Sequence, residues 1–395
     1  MTGARVLSNT FVNTPPNAGV WFQQTATDVQ IIGNQWLDGA NNTGIHFDLI
    51  WDMRPHSAIT ITDNLFRDIA SGDGGCCAGI NFWGPAAEIL GARNVIQDIR
   101  ATDRGCCHGI NFWESAEDVV LLDNEIRDSE PTNRGCCDGI NFWYPATRID
   151  IERNRFIRLP KAPPADGLDP CCYGVQFWDV SSQVVGRDNY FDGAWGIYNG
   201  FDFWDYAADV TLDGNQLLDN TRWPEGVFGD YGNAIVFWGR LQGFTLTNNT
   251  IVGGIGWDDT GMQFWNDISD GIVAGNRLEN LIDPGNGIMV WSSAANVTFT
   301  HNSLANFGSY PDETCPTLGL ILWGDASNVQ ITHNTLRNFA PQVCDDPDVG
   351  IEVRGEGGVT ISDNVLENVS SGAVISSHSP AVTTASSSMR MPICQ

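Results

Sequence analysis

Asparagine returns through this chain on a nearly fixed beat. Asn9, Asn34, Asn64, Asn94, Asn124, Asn154, Asn189, Asn215, Asn249, Asn276, Asn302, Asn334 and Asn364 fall into one register, each followed two residues later by an apolar side chain or close to one. This divides the 395 residues into thirteen units. Self-similarity at such a period means a stack of repeats, each burying its core on its neighbours. The usual division of a long chain into globular domains therefore does not apply.

Each unit has the same grammar. A short alternating piece precedes the Asn, as in VVLLDN or FTLTNN, and another follows it, as in EIRD or TIVG. A variable loop rich in Gly, Asp and Pro comes next. A five-residue piece such as GINFW, GVQFW, GMQFW or GLILW closes the unit. Alternation in pieces this short predicts strands. Three strands per unit describe a coil that winds once and stacks on the next.

The recurring N-x-[ILVF] unit, as in DNEIRD, GNRLEN and HNTLRN, resembles the right-handed parallel β-helix of the pectate lyase and polygalacturonase superfamily. The resemblance covers roughly residues 5 to 378, and it implies an all-β, single-stranded parallel solenoid of about 13 coils. Residues 1–378 are expected to form it, and 379–395 to be a polar, disordered tail or linker. In that superfamily the repeated Asn stacks in the turn between the second and third strands of each coil, where its amide satisfies the bend. The GINFW piece corresponds to the first strand. The outer face of the first sheet is where relatives usually bind polysaccharide.

Alternation assigns the faces of that strand. Ile80, Ile110, Ile140 and Val175 point inward, as do Phe82, Phe112, Phe142 and Phe177. Two columns are then expected to face outward. One holds Asn81, Asn111, Asn141, Gln176, Asp202 and Gln263, with His46 and Trp21 before them. The other holds Trp83, Trp113, Trp143, Trp178, Trp204, Trp238 and Trp265, continuing as Trp291 and Trp323. One reading makes this a sugar-binding strip, with indoles on pyranose faces and amides on hydroxyls. The other makes it a structural ladder of stacked rings.

Eight of the eleven cysteines are adjacent pairs: Cys76 and Cys77, Cys106 and Cys107, Cys136 and Cys137, Cys171 and Cys172. Cys315 and Cys344 precede equivalent strands, and Cys394 lies in the tail. Stacked residues sit about 4.8 Å apart, within disulfide reach. Bridges between coils, vicinal disulfides and soft-metal thiolates all remain open. The spacing fits no standard zinc or iron–sulfur pattern.

For catalysis, the superfamily's NTDG, DD and GHG polygalacturonase signature is missing. The acid/base candidates are Asp179, Asp202 and Asp205, on adjacent central coils. The competing reading makes them solvated carboxylates of an acidic protein. Close carboxylates split their pKa values into an acid and a base, and a short separation would favour retention. His46, His108 and His378 are scattered and suggest no triad. Asp38, Asp68, Asp98 and Asp128 form a column that suits Ca²⁺ or, in the alternative, a tight turn, since it continues as Asn280, Asn306, Asn338 and Asn368.

The net charge of −28 excludes nucleic acid and anionic membranes as partners. No apolar run is long enough to span a bilayer, and the first residues contain no signal-peptide core. The expected protein is an extracellular, carbohydrate-active β-helix that binds a polysaccharide, with cleavage as a glycosidase or lyase left open. The rival is a structural fibre, adhesin or tailspike-like shaft, with end-to-end or homo-oligomeric contacts.

Overall fold

The computed structural model describes all residues except 13–16, 41, 49–53, 71–75, 101–105, 130–135, 160–172, 193–198, 219–232, 256–259, 283–285, 308–317, 340–348, 370, 376–381, 385–387 and 391–395. The chain forms two compact units, Met1–Asp205 and Tyr206–Gln395.

In the first unit, three parallel sheets are wound in turn. The first sheet runs strand by strand from Asn17–Phe22 to Asn199–Phe203. The second runs from Arg5–Leu7 to Ser181–Arg187, and the third from Thr10–Val12 to Tyr190–Asp192. Pairing follows the repeat, with Ile59 against Ile89 and Ile89 against Val119. The second unit is built the same way. Its first sheet spans Asn233–Phe237 to Ser371–Ile375 and its second begins at Ala207–Asp213. In the segment expected to be a tail, Val382–Thr384 pairs with the strand at Gly357–Ser362, and Ser388–Arg390 pairs with Val365–Glu367.

The repeated Asn does what its spacing predicts. Asn124 Oδ1 accepts from both the main-chain N and the Nδ2 of Asn94, at 3.0 Å each. Its own Nδ2 donates to Gly91 O at 2.9 Å and to Asn154 Oδ1 at 2.9 Å. In the second unit the same file runs from Asn215 through Asn249, Asn276, Asn302 and Asn334 to Asn364. Four bonds per amide keep a sharp, buried bend satisfied.

The inward columns fill the interior. Phe22, Phe47, Phe82, Phe112, Phe142, Phe177 and Phe203 stack with centroids 4.6–4.9 Å apart. Each buried ring contributes roughly 1.5–3 kcal/mol of transfer free energy. The glycine of the GINFW piece is required by crowding. A Cβ on Gly109 would lie 2.5 Å from Gly139 O and 2.7 Å from Ile126 Cδ1.

The turn before each Asn is left-handed, with φ of 58° at Asp63, 53° at Arg93, 52° at Asp123 and 53° at Arg153. Opposite charges alternate up this file. Arg93 grips Asp63 through two bonds of 2.7 and 2.8 Å, and Arg153 grips Asp123 at 2.8 and 3.1 Å. The column considered for calcium takes the same left-handed turn at Asp68, Asp98 and Asp128, and at Asn280, Asn306, Asn338 and Asn368. Arg100 reaches Asp68 at 3.1 Å and Arg158 reaches Asp128 at 2.6 Å. The side chain of Asp38 lies outside the described residues. Among the described residues no three His, Cys, Asp or Glu side chains converge on a cation site. No helix is long and apolar enough to cross a membrane.

Candidate functional site

In the central strands Tyr173–Phe177 and Asn199–Phe203 every residue is buried, the outward side chains included. Three parallel files occupy that outer face in the first unit. The first contains Thr43, Ala78, His108, Asp138, Tyr173 and Asn199, set by the register of His108 with Ala78 and Asp138. The second is the expected amide column. The third is the expected tryptophan column.

The amide column is real, and it is buried. Asn81 is 7% exposed, and Asn141 and Asp202 are fully enclosed. The amides bond one another. Asn111 Nδ2 donates to Asn81 Oδ1 at 2.7 Å, and Asn81 Nδ2 lies 2.9 Å from His46 Nδ1. Asn141 donates to Asn111 at 3.4 Å, whereas Gln176 donates the other way, to Asp202 at 3.1 Å. The polarity of the file reverses between them. Asn141 Oδ1 is left buried with no donor among the described residues. Burial holds the His46 imidazole below its ordinary pKa, against the pull of Asp48.

The tryptophans form one file in this unit. Centroids are 4.8 Å apart for Trp83 and Trp113, 4.9 Å for Trp113 and Trp143, 4.9 Å for Trp143 and Trp178, and 4.7 Å for Trp178 and Trp204. All but the Trp113–Trp143 step, tilted at 44°, are close to parallel. A sugar ring inserted between two indoles needs about 7–8 Å, twice an ordinary carbon–carbon contact. Pyranose stacking inside the file is thereby excluded. Free aromatic faces occur only where the file is interrupted.

One such place is the start of the file. The register of Phe47 with Phe82 puts Asp48, not an indole, one coil before Trp83. Trp83 is 41% exposed, with the His46 ring 6.4 Å from it and tilted at 40°, and Trp21, 43% exposed, meets His46 edge-on two coils earlier. Behind Trp83 is a cavity of about 20 Å³ lined by Thr43, Asn81, Trp83, His108, Asn111 and Trp113. It exists because Ala78 is small where its file otherwise carries larger polar groups. The volume and its polar walls suit one water molecule.

His108 and Asp138 are a pair that the linear sequence conceals. Nδ1 lies 2.9 Å from Oδ2, and both side chains are 2% exposed. Tyr173 N donates to Asp138 Oδ1 at 3.2 Å. Burial pushes the Asp138 carboxyl up, while His108 and the Tyr173 N–H pull it down. Aligning CCHG of one repeat on CCDG of the next is the signal that reveals the pair.

The three acid/base candidates are separated by their surroundings. Asp202 is enclosed and accepts from Gln176 Nε2, from Asn199 Nδ2 at 3.0 Å and from Trp204 Nε1. Asp179 and Asp205 occupy equivalent positions just beyond the indoles, half-buried and exposed respectively. Asp179 Oδ1 accepts from Val180 N at 2.6 Å.

Of the cysteines, Cys77 and Cys107 are joined between coils, with Cα atoms 4.5 Å apart. Cys106 is partly exposed and in register with Cys76 and Cys136. The side chains of Cys76, Cys136 and Cys137, and all of Cys171, Cys172, Cys315, Cys344 and Cys394, lie outside the described residues.

In the second unit the same face becomes apolar. Trp238, Trp265 and Trp291 stack at 5.1 and 4.8 Å, and Gln263 is buried. Beyond it, Met289, Ile321, Leu318 and Val349 form a small second core under Trp291 and Trp323. There the indoles serve packing. Arg354 closes that stretch over the Trp323 ring, 4.5 Å from its centroid.

Residues 227–388 match the family model for the right handed beta helix region. No curated protein matches the sequence. Among solved structures, the surface protein and adhesin PfbA of Streptococcus pneumoniae is similar over 97% of this chain and 92% of its own, at 10% identity and a TM-score of 0.46. The A-module of the mannuronan C-5 epimerase AlgE6 of Azotobacter vinelandii matches over 98% and 92%, at 12% identity and 0.37. The Dettilon tailspike protein matches over 97% and 62%, at 12% and 0.37. Three parallel sheets wound in sequence and the stacked file of Asn side chains make each unit a parallel β-helix, and residues 227–388 match the right handed beta helix region.

Proposed function

We propose that this is an extracellular polysaccharide-binding β-helix, and that the glycan lies on the outer face of the first sheet in the first unit. The observation that carries the reading is the 41% exposure of Trp83 at the start of the file, with Asp48 and the His46 ring beside it and Trp21 two coils away. An indole face offers its area to the C–H face of a pyranose, and a carboxylate accepts from hydroxyls. The buried amides serve as the rigid floor that fixes the rings.

The test compares Trp83→Ala with Trp143→Ala in glycan binding. Loss confined to Trp83→Ala supports the reading. Equal, undiminished binding by both variants refutes it.

Asp179 and Asp205 are our acid/base candidates for cleavage, and Asp202 is assigned the holding of Trp204. Release of reducing ends that vanishes in Asp205→Asn supports cleavage. Unchanged release in that variant removes both residues from the chemistry.

A second reading, a stiff adhesive shaft, draws on the face-to-face indoles and on the apolar core under Trp291 and Trp323. It expects Trp143→Ala to lower stability and no variant of this face to change glycan binding.

A further inference from the structure

The left-handed turn before each repeated Asn carries different chemistry in the two units. In the first it alternates Asp63, Arg93, Asp123 and Arg153, and ion pairs run along it. In the second it reads Asn248, Gly275, His301, His333 and Asp363. The two histidines come from FTHNSL and ITHNTL, a repeated piece that the glycan reading leaves unused.

His301 and His333 are neighbours one coil apart. Thr300 is in register with Thr332, and His301 N donates to Thr332 O. Both histidines take the same backbone turn, with φ of 56° and 58°. Both are exposed. Their rings lie face to face, with centroids 5.0 Å apart and planes 3° from parallel. Thr300 Oγ1 lies 2.8 Å from His301 Nδ1, and Thr332 Oγ1 donates to Thr300 Oγ1 at 3.2 Å. This chain of hydroxyls engages Nδ1 of His301 and leaves Nε2 to bind elsewhere. Asp363 is next in the file, through the register of Thr332 with Ser362.

Imidazole suits Cu²⁺, Ni²⁺ and Zn²⁺, whereas Mg²⁺ and Ca²⁺ take oxygen. Two nitrogens on one such ion stand at most about 4.2 Å apart, twice the metal–nitrogen bond. Like nitrogens of parallel rings are separated by about the ring spacing, so this pair closes by roughly 1 Å to share an ion. Small χ rotations of exposed side chains supply that movement. A hydrogen bond on the other ring nitrogen orients a ligating histidine, and Thr300 offers one to His301. Two imidazoles make a site whose remaining positions water fills. Asp363 contributes charge rather than a bond, and the net charge of −28 draws cations to the surface.

We propose that His301 and His333 together bind one divalent transition-metal ion, Cu²⁺ more tightly than Ni²⁺ or Zn²⁺, and that the ion ties two coils of the second unit through their turns. The test adds Cu²⁺, below one equivalent, to the whole protein in excess Mg²⁺, which occupies carboxylates. The electron paramagnetic resonance spectrum is recorded, and Ni²⁺ is titrated by calorimetry under the same conditions. The expected spectrum shows splitting from two imidazole nitrogens, falling to one in His301→Ala and in His333→Ala. Ni²⁺ affinity should drop at least about tenfold in each variant. It should also fall in acid, because a protonated ring cannot ligate. Asp363→Asn, which removes charge but no donor, should cost less. Both rings are exposed, so the metal-free variants keep the fold, which circular dichroism checks. A spectrum without nitrogen splitting, or two nitrogens that persist in both variants, places the ion elsewhere and overturns the proposal. So does the absence of binding. None of these outcomes bears on glycan binding by the first unit.

Discussion

Replacing Asn124 by alanine should unfold the first unit far more readily than replacing the exposed Arg93 one coil away. The side chain of Asn124 is fully enclosed and makes four hydrogen bonds. Its neighbours do not lose equally. Asn94 Nδ2 keeps Ile61 O at 2.8 Å, and Asn154 Oδ1 keeps the main-chain N–H of residue 124 at 3.0 Å. The main-chain N–H of Asn94 has no substitute acceptor and is left buried. One orphaned donor costs about 1–3 kcal/mol, and the lost bonds to Gly91 O and Asn154 add to it, so the expected loss is about 2–4 kcal/mol. Asn124→Asp should be at least as harmful, because a carboxylate oxygen would face the acceptors Gly91 O and Asn154 Oδ1. Arg93→Ala removes only an exposed, solvent-screened ion pair and should cost little. Urea unfolding followed by circular dichroism, with hydrogen exchange at the Asn94 amide, measures both. If Asn124→Ala loses no more than Arg93→Ala, the file of amides does not hold the coil together as argued.

Acid should weaken the first unit through His56. This ring is enclosed, accepts from Ala26 N at 3.1 Å and has its pKa lowered to about 4 by burial, by His46 and by the N-terminus. The unfolded chain takes up that proton near pH 6.5, so stability is full above 6.5 and falls as pH drops towards 4, by about 3 kcal/mol. An NMR titration of the His56 imidazole with a midpoint near 6.5 would contradict this. Reduction of the Cys77–Cys107 bridge, which spans 30 residues, should cost about 3–4 kcal/mol on the chain-entropy account. Thermal melts of Cys107→Ser and of the reduced protein should therefore drop together, and a drop on reduction alone would point to other bridges.

Much of this architecture is legible in the sequence, because a stacked coil converts spacing into contact. The Asn register, the inward Phe column, the outward Trp column and a cysteine bridge between coils all follow from residues 25 to 35 positions apart being neighbours. Alternation tells which face a side chain takes, but not what lies over that face. Asn81, Asn111 and Asn141 point outward and are nonetheless enclosed. The indoles, two residues further along, stack on one another, so the file that reads as a row of sugar platforms presents mostly edges. His108 reads as scattered because its partner Asp138 lies one whole coil away in sequence. The exposure of Trp83 follows from Asp48 interrupting the column, a detail visible only once the register of Phe47 and Phe82 is known.

A crystal structure of the protein with a bound oligosaccharide tests the central claim most directly. The account expects a pyranose ring against the exposed part of Trp83, on the side of Asp48. A ligand bound on the second or third sheet, with the Trp83 face bare, would contradict it.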